Sequence, residues 1–206
     1  MKGGKKFNEI STIANISTGK LTKYLNVLER VKIIKKIVPV TDNKERSRNT
    51  QYMLIDNYIK FWFTFIYPNR TLIELDETAS FMSKIKKELN SFVGYSFEEI
   101  CTQFLIQKKP VVFTNIGKWW HNKEKIDIVT LHDEKKEISL FECKWKNLSF
   151  NQAVKIVEDL KRKSRQVKWH KNKRIERFGL FAKKIEKKDD LRKQGFLVYD
   201  LKDWGR

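Results

Sequence analysis

The chain has 206 residues, with 44 Lys and Arg against 25 Asp and Glu, a net charge of +19. Its 40% hydrophobic and 13% aromatic content is enough for a core and excludes a disordered basic tail. No apolar run approaches the roughly 18 residues of a membrane span, and residues 1–5 lack the apolar stretch of a secretory signal. Cys101 and Cys143 form no CxxC pair and have no nearby histidine, which argues against a structural zinc site and points to the reducing cytoplasm. So large a positive charge calls for a polyanionic partner, most simply DNA.

The charge is unevenly spread: residues 1–56 carry 12 basic and 5 acidic side chains, residues 57–144 carry 13 and 12, and residues 145–206 carry 19 and 8. Two basic ends therefore flank a nearly neutral middle. In chain order, residues 7–16 read as a short helix with Ile10, Ile13 and Ala14 on one face. Ser17 or Thr18 caps a second helix over 20–31, where Leu21, Leu25 and Leu28 recur at helical spacing and Lys20 and Lys23 lie opposite. An apolar run over 33–40, a polar turn carrying Lys44, Arg46 and Arg48, and a return strand over 50–55 follow. Helix, turn, helix and basic hairpin together predict a winged helix-turn-helix over 1–56, with its first helix apparently missing.

Residues 56–67 read as an aromatic helix stopped by Pro68, and 78–90 as a Lys-rich amphipathic helix, the two forming a helical connector over 57–91. From residue 92 the pattern becomes α/β. A helix opened by Ser91 or Ser96 runs through Phe97, Cys101 and Phe104, and strands are predicted at 111–113, 126–131, 137–145, 178–182 and 196–199. The second and third strands form a hairpin, and a helix over 149–167 precedes the fourth. Trp119 and Trp120 either pack on the sheet edge or stack bases. The fold class is thus α+β / α/β, with a mixed central sheet in the 92–206 domain.

Alternation along the third strand puts Glu142 and Lys144 on one face and Phe141, Cys143 and Trp145 on the other. Asp127 is the one charged group in an otherwise apolar neighbouring strand, a costly position unless it is paired or metal-bound. The alternatives are a surface ion pair and a site in which Asp127 and Glu142 hold Mg2+ or Mn2+ while Lys144 orients a water or stabilises developing charge. Nine of the residues from Lys161 to Arg177 are Lys or Arg, and Lys161, Arg162, Lys163, Arg165 and Lys168 read as a track for the phosphate backbone.

The order Asp127, then Glu142-Cys143-Lys144, resembles the PD-(D/E)xK nuclease superfamily, with Ile126 where the motif has its proline. The resemblance implies a helix acid, met by Glu98 or less well by Glu99. It also implies phosphate-contacting residues on the following helix, met by Gln152 and Lys155. A wider resemblance rests on Phe61-Trp62-Phe63, Tyr67-Pro68-Asn69-Arg70, Ile116-Gly117-Lys118-Trp119-Trp120, Ile126-Asp127-Ile128-Val129 and Glu142-Cys143-Lys144-Trp145. These are similar to the C-terminal half of an archaeal ATPase family, in which a winged helix joins a nuclease-like domain of unknown function. The chain has no G-x-x-x-x-G-K-[ST] motif, so the resemblance implies an ATPase domain or subunit outside it. The expected function is DNA binding with Mg2+-dependent endonuclease chemistry by Asp127, Glu142, Lys144 and Glu98. The alternatives are a non-catalytic DNA-binding or regulatory module of that ATPase and a regulator acting through the winged helix alone.

Overall fold

The computed structural model describes residues 4–205. The chain divides into two compact units: one holds the residues up to Val38 and Lys44–Tyr95, the other Pro39–Asn43 and Ser96 onward.

In the first unit, helices α1 (Phe7–Ala14) and α2 (Thr18–Arg30) precede an antiparallel pair, β1 (Ile34–Ile37) and β2 (Gln51–Leu54). Lys5 adds an antiparallel bridge to Tyr52. Leu21, Leu25 and Ile34 form the buried seam, with Phe7, Ile10, Leu28 and Leu54 around it. The Leu21/Leu25 repeat faces inward because positions four apart share one side of a helix. Tyr24 and Val27, which lie off that stripe, stay exposed.

The aromatic segment departs from its sequence pattern. Pro68 does not stop it. Instead α3 (Asn57–Phe61) runs into a π-helical turn at Trp62–Ile66 and a 3-10 turn at Tyr67–Asn69, then α4 (Arg70–Glu74). The proline sits in the first turn of the 3-10 segment, where its missing N–H is no loss. Phe61, Phe65 and Phe92 pack ring on ring at 5.1–5.9 Å between centroids. The two helices read from 78–90 and beyond are one, α5 (Thr78–Lys108). Ser91 and Ser96 do not interrupt it, because an interior serine can remain helical when its neighbours are good helix formers.

The second unit contains a five-stranded mixed sheet in the order β3-β4-β5-β6-β7. Its strands are β3 (Asn115–His121), β4 (Glu124–His132), β5 (Glu137–Leu148), β6 (Ile175–Ile185) and β7 (Leu197–Tyr199). The β3–β4 and β4–β5 pairs are antiparallel, while β5–β6 and β6–β7 are parallel. Parallel neighbours need crossovers, supplied by α6 (Phe150–Ser164) and by the short α7 (Lys188–Lys193), which the sequence pattern did not reveal. The α5 residues Phe97, Cys101, Phe104 and Leu105 cover one face, packing on Ile128, Phe141, Cys143 and Phe181. Leu160 of α6 and Val167 beyond it cover the other face against Ile126, Val129, Leu131, Ile138 and Leu140. Burial on both faces accounts for the continuous apolar runs in β4 and β5.

Residues 111–113 are not a strand. Val111 is buried and Phe113 packs beside it, but Val112 is 65% exposed, and ladder pairing starts only where Thr114 N donates to Leu131 O at 2.7 Å. The first strand is instead β3, an edge whose Gly117 lies against Val40; a Cβ there would come within 3.1 Å of the Val40 Cβ. Val40 N in turn donates to Lys118 O at 2.9 Å.

Candidate functional site

The β4–β5 ladder runs in register through Ile128 opposite Phe141. Asp127 and Glu142 are the next residues beyond that pair on each strand, and the Asp127 charge acts on the Glu142 carboxyl. There the ladder opens. Asp127 Oδ2 accepts the Cys143 N–H at 3.0 Å, so a side chain satisfies a backbone donor that a strand carbonyl would otherwise take.

Both carboxylates are buried, Asp127 at 4% exposure and Glu142 at 6%. Glu142 Oε1 accepts from Lys144 Nζ at 2.6 Å, and its Oε2 lies 3.6 Å from Lys163 Nζ. Asp127 Oδ1 is 3.3 Å from Lys125 Nζ, an ion-pair approach without hydrogen-bond alignment. Asp127 Oδ1 and Glu142 Oε2 are thus both buried oxygens with no hydrogen-bond partner among the described residues. Burial, and then the neighbouring Asp127 charge, push the Glu142 carboxyl above the usual range against the opposing pull of Lys144 and Lys163.

Glu98, on α5, reaches this cluster through cations. It pairs with Lys118, and its Oε1 lies 3.9 Å from the same Lys125 that approaches Asp127. Burial works to lower the Lys125 pKa, but Asp127 and Glu98 outweigh it and hold the ammonium above the ordinary lysine value. Glu99 projects from the adjoining helix position and is also half-buried.

Among the described residues no three or more His, Cys, Asp or Glu side chains gather as a metal-binding group. Asp127 Oδ1 and Glu142 Oε2 nevertheless suit a hard cation, because each is a carboxylate oxygen that accepts no hydrogen bond among the described residues.

Lys118 and Lys125 were missed in the sequence. Lys125 stands two residues before Asp127, the same spacing that singled out Lys144 beside Glu142, and strand alternation was the available signal for it. Lys118 lies on the strand that the pattern did not reveal. Trp119 is 3% exposed within the core, which leaves it no face for stacking.

Of the remaining candidates, Lys20 and Lys23 are exposed on α2, and Arg46 and Arg48 are exposed between β1 and β2. Gln152 closes a capping box: Ser149 Oγ accepts from its backbone N–H, and its side-chain oxygen accepts from Ser149 N at 3.1 Å. Lys155 is exposed. Lys161 pairs with Glu158, Arg162 with Asp159 and Glu124, and Lys163 with Asp159 as well as Glu142. Arg165 and Lys168 are exposed just beyond α6.

Residues 62–156 match the family DUF234, described as "Archaea bacterial proteins of unknown function". An archaeal homologue, an uncharacterized protein of Methanocaldococcus jannaschii, is 34% identical over 207 residues, an alignment covering 98% of this chain and 45% of the relative. The chain therefore spans less than half the length of that relative. Among solved structures, a repair endonuclease from Pyrococcus abyssi superposes with a TM-score of 0.34 at 14% identity, over 50% of this chain and 45% of its own. The EndoMS–double-stranded DNA complex superposes with a TM-score of 0.32 at 16% identity, over 49% and 42%. No helix among the described residues is long and apolar enough to cross a membrane.

Proposed function

We propose that this chain binds DNA and hydrolyses its phosphodiester bonds with the help of Mg2+ or Mn2+. The observation that carries the reading is the pair of buried carboxylate oxygens, Asp127 Oδ1 and Glu142 Oε2, left without hydrogen-bond partners on adjacent strands beside Lys144. Leaving one oxygen of each buried carboxylate without a hydrogen bond costs stability, and functional sites are where proteins tolerate that cost. Asp127 and Glu142 would hold the cation, with Glu98 assisting directly or through a water. When bound, the cation polarises a phosphate oxygen and makes a coordinated water more acidic.

The chain's own groups do the rest. The Cys143 N–H fixes the Asp127 carboxylate through one oxygen and leaves the other for a ligand. The Lys144 side chain is 36% exposed, so its ammonium touches Glu142 and still meets a phosphate or a nucleophilic water at the surface. Lys163, held by Asp159, adds positive charge beside Glu142 that can stabilise charge developing on a bound phosphate.

In this reading the N-terminal α1–α2–β1–β2 unit is a winged helix-turn-helix. Its α2 presents Lys20 and Lys23, and the β1–β2 connection presents Arg46 and Arg48, to phosphates. An ATPase domain or subunit outside this chain would act with it.

The test is nicking of plasmid and branched DNA with Mg2+ or Mn2+. Lys144→Ala and Asp127→Asn should each abolish cleavage while duplex affinity stays nearly constant, since each changes one charge in a protein carrying 44 basic side chains. A second reading has an observation of its own: no group of three or more ligating side chains assembles among the described residues. That favours a non-catalytic DNA-binding or regulatory module. It becomes the better account if the wild type cuts none of these substrates, alone or within a full-length relative.

A further inference from the structure

Of the nine cations between Lys161 and Arg177, five are engaged by acids. Lys161, Arg162 and Lys163 pair as above, Arg177 pairs with Glu137, and Arg174 pairs with Glu176. The other four, Arg165, Lys168, Lys171 and Lys173, are exposed and make no ion pair among the described residues. All four lie on the connection between α6 and β6. The cationic surface is therefore a loop rather than the helix that the sequence emphasised.

A ten-residue connection so rich in like charge would ordinarily repel and move. This one is pinned from beneath. The Arg174 side chain is 1% exposed and all five of its N–H donors are used. Nε donates to Glu176 Oε1 at 2.8 Å. Nη1 donates to Val167 O and to Trp169 O, both at 2.6 Å. Nη2 donates to Ser164 O at 2.9 Å and to Glu176 Oε1 at 2.5 Å. Ser164 Oγ donates to the second Glu176 oxygen at 2.9 Å, so the carboxylate that balances the guanidinium is itself fixed. Val167 is fully buried in the sheet core, and Trp169 packs against the same cluster. Beyond Trp169 the chain turns through His170, at φ 41°, and closes with Lys173 N donating to His170 O at 2.9 Å.

We propose that residues 165–173 form a preorganised phosphate-contacting loop, with Arg174 the positioning residue that holds it in its binding shape. The inference rests on the DNA-binding reading above and names the surface that does the binding. Three carbonyls captured by one buried guanidinium fix the backbone, so Arg165, Lys168, Lys171 and Lys173 project outward without the loop having to be ordered when a phosphate backbone arrives. The loop starts two residues after Lys163, which contacts Glu142, so the captured backbone would run beside the candidate site.

The experiment measures polarisation of a short fluorescent duplex against the full chain, without divalent metal, from about 50 to 200 mM KCl. Combining Arg165→Gln, Lys168→Gln, Lys171→Gln and Lys173→Gln removes the charges and leaves the core untouched. The slope of log affinity against log salt should then shrink by roughly 3.6, since each of the four phosphate contacts contributes about 0.9. Arg174→Leu keeps those four cations and frees the loop. Its slope should remain close to that of the wild type, its affinity should fall about tenfold, and loop amides should exchange hydrogen faster. Arg174→Lys, which restores a charge and some of the donors, should recover part of both. A quadruple variant with the wild-type slope overturns the proposal even if Arg174→Leu fails to fold. Faster exchange in Arg174→Leu with undiminished affinity overturns the positioning role. A wild type with no affinity for duplex at the lowest salt overturns the DNA-binding reading itself, whereas steep binding that ignores the four charges overturns only the loop.

Discussion

Gly179 offers a sharp test of how the sheet holds the candidate site. It lies on β6 between Phe141 of β5 and Leu197 of β7, and the Phe141 ring covers it. A Cβ placed on Gly179 would stand 2.2 Å from Phe141 Cδ1, 2.3 Å from Cε1 and 2.8 Å from Leu197 O. Two of these are ring atoms of a fully buried side chain packed 5.6 Å from the Phe181 ring, and the third is main chain, so none yields easily. Ordinary contact begins near 3.4 Å, so the ring would have to retreat by more than 1 Å.

Overpacking of this kind costs about 3 kcal/mol. Replacing a strand glycine by alanine returns about 0.5–1 kcal/mol through lower chain entropy in the unfolded state. The clash wins, and Gly179→Ala should destabilise the protein by about 2–2.5 kcal/mol. Five of the six tryptophans belong to the second unit, so intrinsic fluorescence during urea unfolding follows the unit concerned. Phe141→Leu in the Gly179→Ala background should recover part of the loss, giving a coupling of about 1 kcal/mol or more between the two sites. A Gly179→Ala cost below about 0.5 kcal/mol, or strict additivity with Phe141→Leu, would refute the packing argument. Phe141 immediately precedes Glu142, so any cleavage activity should fall together with stability.

Two further outcomes are expected. If Asp127 and Glu142 hold a cation, about 10 mM Mn2+ at 10–100 times its dissociation constant should stabilise the second unit by about 1.4–2.7 kcal/mol, read as a rise in its thermal midpoint. Asp127→Asn should erase that rise, and a rise that survives it would place the ion elsewhere. Asp203, although burial works against it, is held below the usual carboxylate range by its bond from Lys188, the Asp200 backbone and Arg192. A depressed folded pKa contributes stability above the unfolded value, and that contribution is lost as pH falls through the folded one. Asp203→Asn should therefore cost about 1 kcal/mol near neutrality, discounted for partial exposure, and the deficit should close as acid takes the wild type below the ordinary Asp value of 3.8. A deficit that stayed constant down to that range would show the pairing to be irrelevant.

Local periodicity was enough to read several of this fold's features from the chain alone. Leu21 and Leu25 are four apart and share the buried seam of α2. The apolar runs around Asp127 and before Glu142 are the central strands β4 and β5, and the polar turn between them makes an antiparallel hairpin. Alternation along β5 likewise sets Glu142 beside Lys144, and the two pair. Local pattern fails where a residue's role is set by what packs on it from far along the chain. Residues 111–113 look like a strand, but their apolar side chains serve a core contact in a loop, while the polar edge strand β3 forms because β4 offers it a ladder. Ser91 and Ser96 read as helix starts, yet α5 runs through both. Pro68 reads as a stop and is accommodated by π and 3-10 turns under an aromatic cluster. Charge was the least legible feature. Arg174 counts as one more cation in a basic run, and only folding buries it under the carbonyls of Ser164 at the end of α6 and of Val167 and Trp169 in the loop. Lys118 and Lys125 likewise meet Glu98 across 20 and 27 residues of sequence. Counting charges states how much positive potential the chain carries; which cations remain available to a partner depends on the acids that folding sets against them, and those lie at distances no local pattern spans.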